Sequence, residues 1–165
     1  MKVARGTAPV PGSVAAGVAL GLGTDGAASN NDLHMFEARR QAALLHKHAS
    51  RDPRVVPARE ALEMATRGGA RALGMDDRLG SLEVGKLADV IAVRTDRARQ
   101  TPMYDPVSHL VYASRGDDVV LTVVNGQVLY RDGVVRTLDE AAVLAAARAA
   151  ADEVRAAVDA ARQPQ

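Results

Sequence analysis

Val18-Ala19-Leu20-Gly21-Leu22-Gly23-Thr24-Asp25-Gly26 is the most informative stretch of the chain, because it places one carboxylate on a glycine-flanked turn directly after an apolar run. The near-continuous apolar run at residues 18–23 predicts a short strand that is buried on both faces. Asp25 then lies at the carboxyl end of this strand. In a parallel barrel or an open α/β sheet, loops converge on substrate and metal at that end, so Asp25 is the first candidate site residue.

The segments on either side of this strand predict an α/β arrangement. Residues 2–5 have the pattern of an earlier strand, and residues 8–16 that of a short helix that Gly17 ends. The order strand, helix, strand, loop is typical of a parallel βαβ unit. Further helices are predicted from a cap at Asn31 or Asp32 to about Lys47, over residues 58–66 and over residues 69–73.

The pattern changes from helical to strand-like near residue 75. A strand is predicted at residues 87–93, and Asn125-Gly126 predicts a hairpin between 119–124 and 127–130. Asp132-Gly133 is a second turn of the same type, and an Ala-rich helix is predicted from Leu138 to about Ala161. The expected domains are therefore an α/β part at 1–75, a small β domain at 76–137, and a C-terminal helix and tail at 138–165.

Composition excludes several classes of partner. The net charge of the 165 residues is +1, so a dominant nucleic-acid footprint is not expected. No apolar run reaches the roughly 20 residues that span a bilayer, so no membrane partner is expected. Cysteine is absent, which excludes a disulfide framework and fits a reducing compartment, and the predicted location is the cytoplasm.

Most of the other polar residues have a structural interpretation. Asp32 is interpreted as a helix cap, His34 as a surface or rim residue, and His109 as structural. His46 and His48 fit a pair at a helix C-terminus that the helix dipole favours. The Ala-rich C-terminal helix is expected to lie on the domain rather than in a coiled coil. One group of basic residues is interpreted as a solvated face: Arg39, Arg40, Lys47, Arg51 and Arg54.

Five segments carry further information. The first two are Gly23-Thr24-Asp25-Gly26-Ala27-Ala28-Ser29-Asn30-Asn31-Asp32-Leu33 and Ala42-Ala43-Leu44-Leu45-His46-Lys47. The later ones are Ala61-Leu62-Glu63-Met64-Ala65-Thr66, Gly80-Ser81-Leu82-Glu83-Val84-Gly85-Lys86-Leu87-Ala88-Asp89 and Val124-Asn125-Gly126. Together, and in this order, these segments resemble the amidohydrolase superfamily, and within it the 5-methylthioadenosine/S-adenosylhomocysteine deaminase and chlorohydrolase-like group. The resemblance extends over about residues 1–140.

The resemblance implies the C-terminal part of a metal-dependent (β/α)8 barrel hydrolase, with a small β-sandwich-like domain and a C-terminal helix. Residues 2–5 and 18–23 would be the seventh and eighth barrel strands. Asp25 would be a metal ligand and the catalytic carboxylate, which accepts a proton from the activated water and passes it to the leaving amine. Ser29, Asn30 and Asn31 would bind substrate. The implied cofactor is a divalent metal, zinc or alternatively iron.

The family's metal-binding histidines belong to segments that would precede residue 1. The expected partners are therefore a small-molecule substrate and either the missing N-terminal part of the barrel or a second copy of the chain. The expected reaction is deamination of an adenosine-like nucleoside, although this chain alone is expected to be inactive. The alternatives are a guanine-deaminase-like or chlorohydrolase-like enzyme, and a catalytically incomplete fragment or partner-dependent subunit.

Overall fold

The computed structural model describes residues 6–162, so the strand expected at residues 2–5 lies outside the described part of the chain. Four helices precede the sheet, a fifth helix follows its first strand, and a long sixth helix comes last. The helices are α1 (Val10–Ala15), α2 (Met35–Ser50), α3 (Ala58–Met64), α4 (Arg67–Ala72), α5 (Pro106–Tyr112) and α6 (Glu140–Arg162). The strands are β1 (Val90–Val93), β2 (Val119–Val124), β3 (Gln127–Arg131) and β4 (Val134–Val135).

The sheet is antiparallel throughout, with the order β1-β2-β3-β4. Asn125 and Gly126 join β2 to β3 with φ values of 48° and 78°, the left-handed geometry that a two-residue hairpin turn of this type requires. Asp132 and Gly133 join β3 to β4 with φ values of 48° and 88°. The hairpin and the second turn are therefore confirmed.

The hydrophobic core lies between helices α2, α3 and α5. Its buried residues are Ala43, Val56, Ala61, Met64 and Val111. Alanine and valine dominate because the chain has one phenylalanine and no tryptophan to fill a larger interior. Helix α5 follows β1 in the chain yet contributes Val111 to this core, so the helices before and after β1 share one interior.

A buried polar cluster lies between the sheet and helix α5. The Asp118 carboxylate is fully buried and accepts a hydrogen bond from Arg99 Nη2 at 2.5 Å and from the Arg115 backbone N–H at 2.9 Å. The Gln100 side-chain amide, also fully buried, donates to Ser114 Oγ at 3.0 Å. These bonds satisfy polar groups that burial would otherwise leave unpaired.

Residues 18–23 form an extended segment rather than a strand, so the expectation of a strand buried on both faces is wrong for this structure. Leu20 and Leu22 pack against the core, whereas the Val18 side chain is 54% exposed. The Leu22 backbone N–H donates to the Met64 carbonyl at 3.2 Å. A strand needs a neighbouring strand to pair with, and within residues 6–162 the sheet β1-β2-β3-β4 does not reach this segment.

Helix α6 packs against none of the other described elements closely enough to bury a residue. Its apolar residues Val143, Leu144, Val154 and Val158 are all exposed. The prediction of a C-terminal helix is confirmed, but the expectation that it lies on the domain is wrong. Within the described chain no helix is long and apolar enough to cross a membrane.

Candidate functional site

The Asp25 turn is built from the residues that follow the extended segment. Asp25 has a φ of 61°, in the left-handed region that aspartate tolerates better than most residues. Its Oδ1 accepts a hydrogen bond from the Gly26 backbone N–H at 2.7 Å. The Gly26 carbonyl in turn accepts the backbone N–H groups of Ser29 and Asn30 at 3.0 and 2.9 Å. The loop therefore holds the carboxylate at its outer edge.

The Asp25 carboxyl is fully exposed, and its pKa lies below the ordinary value of 3.8. The Ser29 hydroxyl is the larger cause, and the Gly26 N–H is the second. Both are hydrogen-bond donors that stabilise the charged form. Asp25 is consequently ionised at neutral pH.

The candidate site residues line one cavity of about 580 Å³ at the start of α2. Asp25, Ser29, Asn30 and Asn31 all contribute to its wall. Two of the polar groups also lie against the loop backbone: Ser29 Oγ is 3.0 Å from the Gly26 carbonyl oxygen, and Asn30 Nδ2 donates to the Thr24 carbonyl at 2.9 Å. The Ser29 hydroxyl has one hydrogen, which it donates either to the Gly26 carbonyl or to the Asp25 carboxylate at any time. The structure thus brings the four residues together. The roles assigned to them stay predictions.

A metal centre needs more donors than this part of the chain brings together. Residues 6–162 contain no group of three histidine, cysteine, aspartate or glutamate side chains that could hold an ion. Asp25 could supply one carboxylate ligand, whereas zinc sites use three or four protein ligands. The described residues therefore fit a divalent metal only as one part of its ligand set.

His34 links the site loop to the sheet region, a role that the sequence interpretation missed. His34 is the N-terminal capping residue of helix α2, where the sequence predicted Asn31 or Asp32. The Nδ1 atom of His34 lies 2.9 Å from the Glu37 backbone nitrogen. Its Nε2 lies 3.1 Å from the Gly116 backbone nitrogen. A neutral imidazole accepts at only one nitrogen, so one of these two contacts is a hydrogen bond at any time. Asp32 instead accepts from the His34 backbone N–H at 3.1 Å.

Two further residues of α2 differ from their sequence interpretation. Arg39 was assigned to a solvated face but is only 5% exposed, with the Phe36 ring centroid 4.2 Å from its Cζ. His46 is also buried, and burial, with a smaller contribution from the charge of Lys47, lowers its pKa below the ordinary value of 6.5. A buried neutral imidazole is not the dipole-stabilised cation that we expected at this position.

The family model described as "Amidohydrolase family" matches residues 1–129. The chain belongs to the amidohydrolase family. This match confirms the resemblance and the expected fold class. Residues 6–162 form part of that fold, namely helices α1 to α6 and the small antiparallel sheet.

Curated and solved proteins show how much of the fold this chain covers. It is 54% identical over 144 residues to a 5-methylthioadenosine/S-adenosylhomocysteine deaminase of Desulforudis audaxviator. The aligned part covers 87% of this chain and 34% of that protein. The chain is similar to the structure of an adenosine deaminase from Xanthomonas campestris with bound zinc, with a TM-score of 0.90 and 40% identity. That match covers 94% of this chain and 35% of the deaminase. The structure of an atrazine chlorohydrolase from Arthrobacter aurescens complexed with zinc is also similar, with a TM-score of 0.75 and 39% identity. That match covers 87% of this chain and 32% of the chlorohydrolase. The chain spans about a third of the length of the curated relatives it matches.

Proposed function

We propose that this chain is the C-terminal part of an amidohydrolase that deaminates an adenosine-like nucleoside, such as S-adenosylhomocysteine or 5-methylthioadenosine. The observation that carries the proposal is the Asp25 loop. It presents an exposed, ionised carboxylate in a cavity together with Ser29, Asn30 and Asn31. The similarity to the Desulforudis audaxviator deaminase supports the choice of reaction and substrate.

In the proposed reaction, Asp25 transfers a proton from the attacking water to the leaving group. Its Oδ1 is held by the Gly26 N–H, which leaves Oδ2 to accept the proton from the attacking water. The water oxygen bonds to the ring carbon as the ring C=N π bond opens. The bond from that carbon to the exocyclic amino nitrogen then breaks and the ring C=N bond re-forms, while the proton passes from Oδ2 to the amino nitrogen, which leaves as ammonia. Ser29, Asn30 and Asn31 line the wall against which the substrate would bind.

We further propose that Asp25 is one ligand of a divalent ion, zinc or alternatively iron, whose remaining ligands come from outside residues 6–162. The chemistry that such an ion supplies in hydrolases is the activation of water. The zinc in the structures similar to this chain supports zinc. Since residues 6–162 contain no group of three side chains that could hold an ion, the chain alone is proposed to be inactive, with the N-terminal part of the barrel or a second copy completing it. Its proposed location is the cytoplasm.

The test is complementation. This chain is co-expressed with the part of the Desulforudis audaxviator deaminase that precedes the matched segment, and ammonia release is measured with S-adenosylhomocysteine, 5-methylthioadenosine, adenosine and guanine. We expect release only from the complemented protein. Activity on guanine alone, or dechlorination of a chlorotriazine instead, would replace the proposed substrate with the guanine-deaminase-like or chlorohydrolase-like alternative.

Within the complemented protein, Asp25→Asn is expected to lower kcat by about 10²–10⁴-fold, since an amide cannot accept the proton. Asp32→Asn is the matched control: the same change in the same cavity, where the Asn oxygen can still accept the His34 N–H. Turnover by Asp25→Asn close to that of Asp32→Asn would overturn the role of Asp25. Ammonia release by the uncomplemented chain would overturn its proposed inactivity.

A further inference from the structure

A second cavity lies between the helical core and the first strand of the sheet. Its volume is about 510 Å³, within the range of about 300–1,000 Å³ typical of small-molecule sites. Its wall comes from helices α2, α3 and α5 and from β1, and includes Phe36, Leu62, Ile91, Met103 and Leu110. It shares no lining residue with the cavity around Asp25.

The wall of this cavity is apolar except at a few points, of which Arg39 is the most unusual. Arg39 is buried, with 5% of the residue exposed, and its Nη2 donates to the Leu110 carbonyl. Its Nε is buried and has no hydrogen-bond partner among the described residues. The Phe36 ring lies against the face of the guanidinium. It does not accept hydrogen bonds from the N–H groups, which point outward in the guanidinium plane.

The charge on Arg39 has no carboxylate partner among the described residues. Burial lowers its pKa to about 10, so the guanidinium remains protonated at neutral pH. None of the described residues that line the cavity is an aspartate or a glutamate. A buried charge is stable when it is paired and hydrogen-bonded, and Arg39 has neither a carboxylate nor a full set of acceptors.

We propose that this cavity binds a small organic acid, with its apolar body against the Leu62, Ile91 and Leu110 side of the wall and its carboxylate on Arg39. A carboxylate can accept two N–H groups of one guanidinium at once, which gives both charge and hydrogen bonds to the group that lacks them. The apolar lining fits the remainder of the ligand. A neutral apolar ligand would fill the volume but would leave the Nε–H unpaired.

The test uses the full chain with hexanoate as the probe and hexanamide as its neutral analogue of the same length. Calorimetry is expected to show hexanoate binding at least about tenfold more tightly than hexanamide, because charge-assisted bidentate bonds are roughly twice as strong as neutral ones. Methyl NMR signals of Leu62, Ile91 and Leu110 are expected to shift on addition of hexanoate. Equal binding of the two probes, no binding of hexanoate at millimolar concentration, or shifts confined to other residues would overturn the proposal.

Variants at two adjacent arginines separate the specific site from general attraction. Arg39→Met is expected to weaken hexanoate binding at least about tenfold and to leave hexanamide binding unchanged. Arg40→Met is the matched control, because Arg40 is exposed and does not line this cavity. Arg39→Lys, which keeps the charge, is expected to retain part of the affinity. Unchanged hexanoate binding in Arg39→Met, or the same loss in Arg40→Met, would overturn the proposal.

Discussion

Arg39 is a charged side chain next to a core of alanine, valine and methionine. It is almost fully buried, and among the described residues its one hydrogen bond is to the Leu110 carbonyl. Folding therefore removes its charge from water with few interactions to offset the lost hydration. Methionine has a similar length and no charge, and it adapts to irregular spaces.

We therefore expect Arg39→Met to raise the free energy of unfolding, by about 1 kcal/mol or more in the absence of an organic acid. The measurement is urea unfolding followed by circular dichroism, with Arg40→Met as the exposed control that should change little. A less stable Arg39→Met would show that the Phe36 and Leu110 contacts stabilise the fold more than burial of the charge destabilises it.

His46 makes the stability of the fold depend on pH. Because its pKa is lowered in the folded state, the unfolded chain binds more protons than the folded chain once the pH falls below about 6.5. Stability is therefore expected to fall as the pH decreases from 8 towards 5.

The His46→Gln variant is expected to lose less stability over that range, since glutamine does not titrate. His48→Gln serves as the control, because His48 is exposed on the same helix. The free energy of unfolding is compared at pH 8 and pH 5 for all three proteins. A wild-type pH dependence that His46→Gln leaves unchanged would mean that other groups cause it.

At the scale of elements, helix α4 and the extended segment before Asp25 are in backbone contact. A Cβ atom at Gly68 would lie 2.5 Å from the Leu20 carbonyl oxygen, and one at Gly21 would lie 3.0 Å from the Gly69 Cα. The glycines allow the helix to approach the segment that leads into the Asp25 loop.

Gly68→Ala is expected to destabilise the fold by about 1–3 kcal/mol, as overpacking against backbone does. Gly12→Ala in α1 is the control, because a Cβ there meets nothing within 4 Å and alanine favours a helix by roughly 0.5–1 kcal/mol. Thermal unfolding of the two variants measures the difference. Equal stability of the two would contradict the close contact at Leu20.

For the molecule as a whole, helix α6 follows the sheet in the chain but does not pack against the hydrophobic core. All 23 of its residues are exposed, whereas helices α2, α3, α4 and α5 each bury at least one residue. The free energy of the core therefore has no contribution from side chains of α6.

We expect a chain that ends at Leu138 to unfold at the same temperature as the full chain, within a few degrees. A change of 1 kcal/mol would shift the midpoint of a domain of this size by roughly 2–8 °C, which calorimetry resolves. A larger drop that depends on protein concentration would show that α6 stabilises the protein through a second copy. A larger drop independent of concentration would contradict the exposed position of α6.

Features that depend on neighbouring residues could be predicted from the amino-acid sequence. Asn125-Gly126 specified the hairpin, because these residues adopt left-handed backbone conformations at low cost. Helices α2, α3 and α4 followed from their apolar period, whereas α5 was not predicted and the cap expected for α2 was wrong. The Asp25 loop, with its family, followed from contiguous residues. Local steric preferences and short-range hydrogen bonds carry these features.

Features that depend on distant partners arise from tertiary contacts and could not be predicted from the sequence. Residues 18–23 have the composition of a buried strand, but a strand exists only where another strand accepts its hydrogen bonds. His34 lies beside Gly116, and Arg39 beside Leu110, through folding contacts between residues more than 70 positions apart. Burial, which sets the charge balance of Arg39 and His46, is a property of the assembled core and not of the residue or its neighbours in sequence.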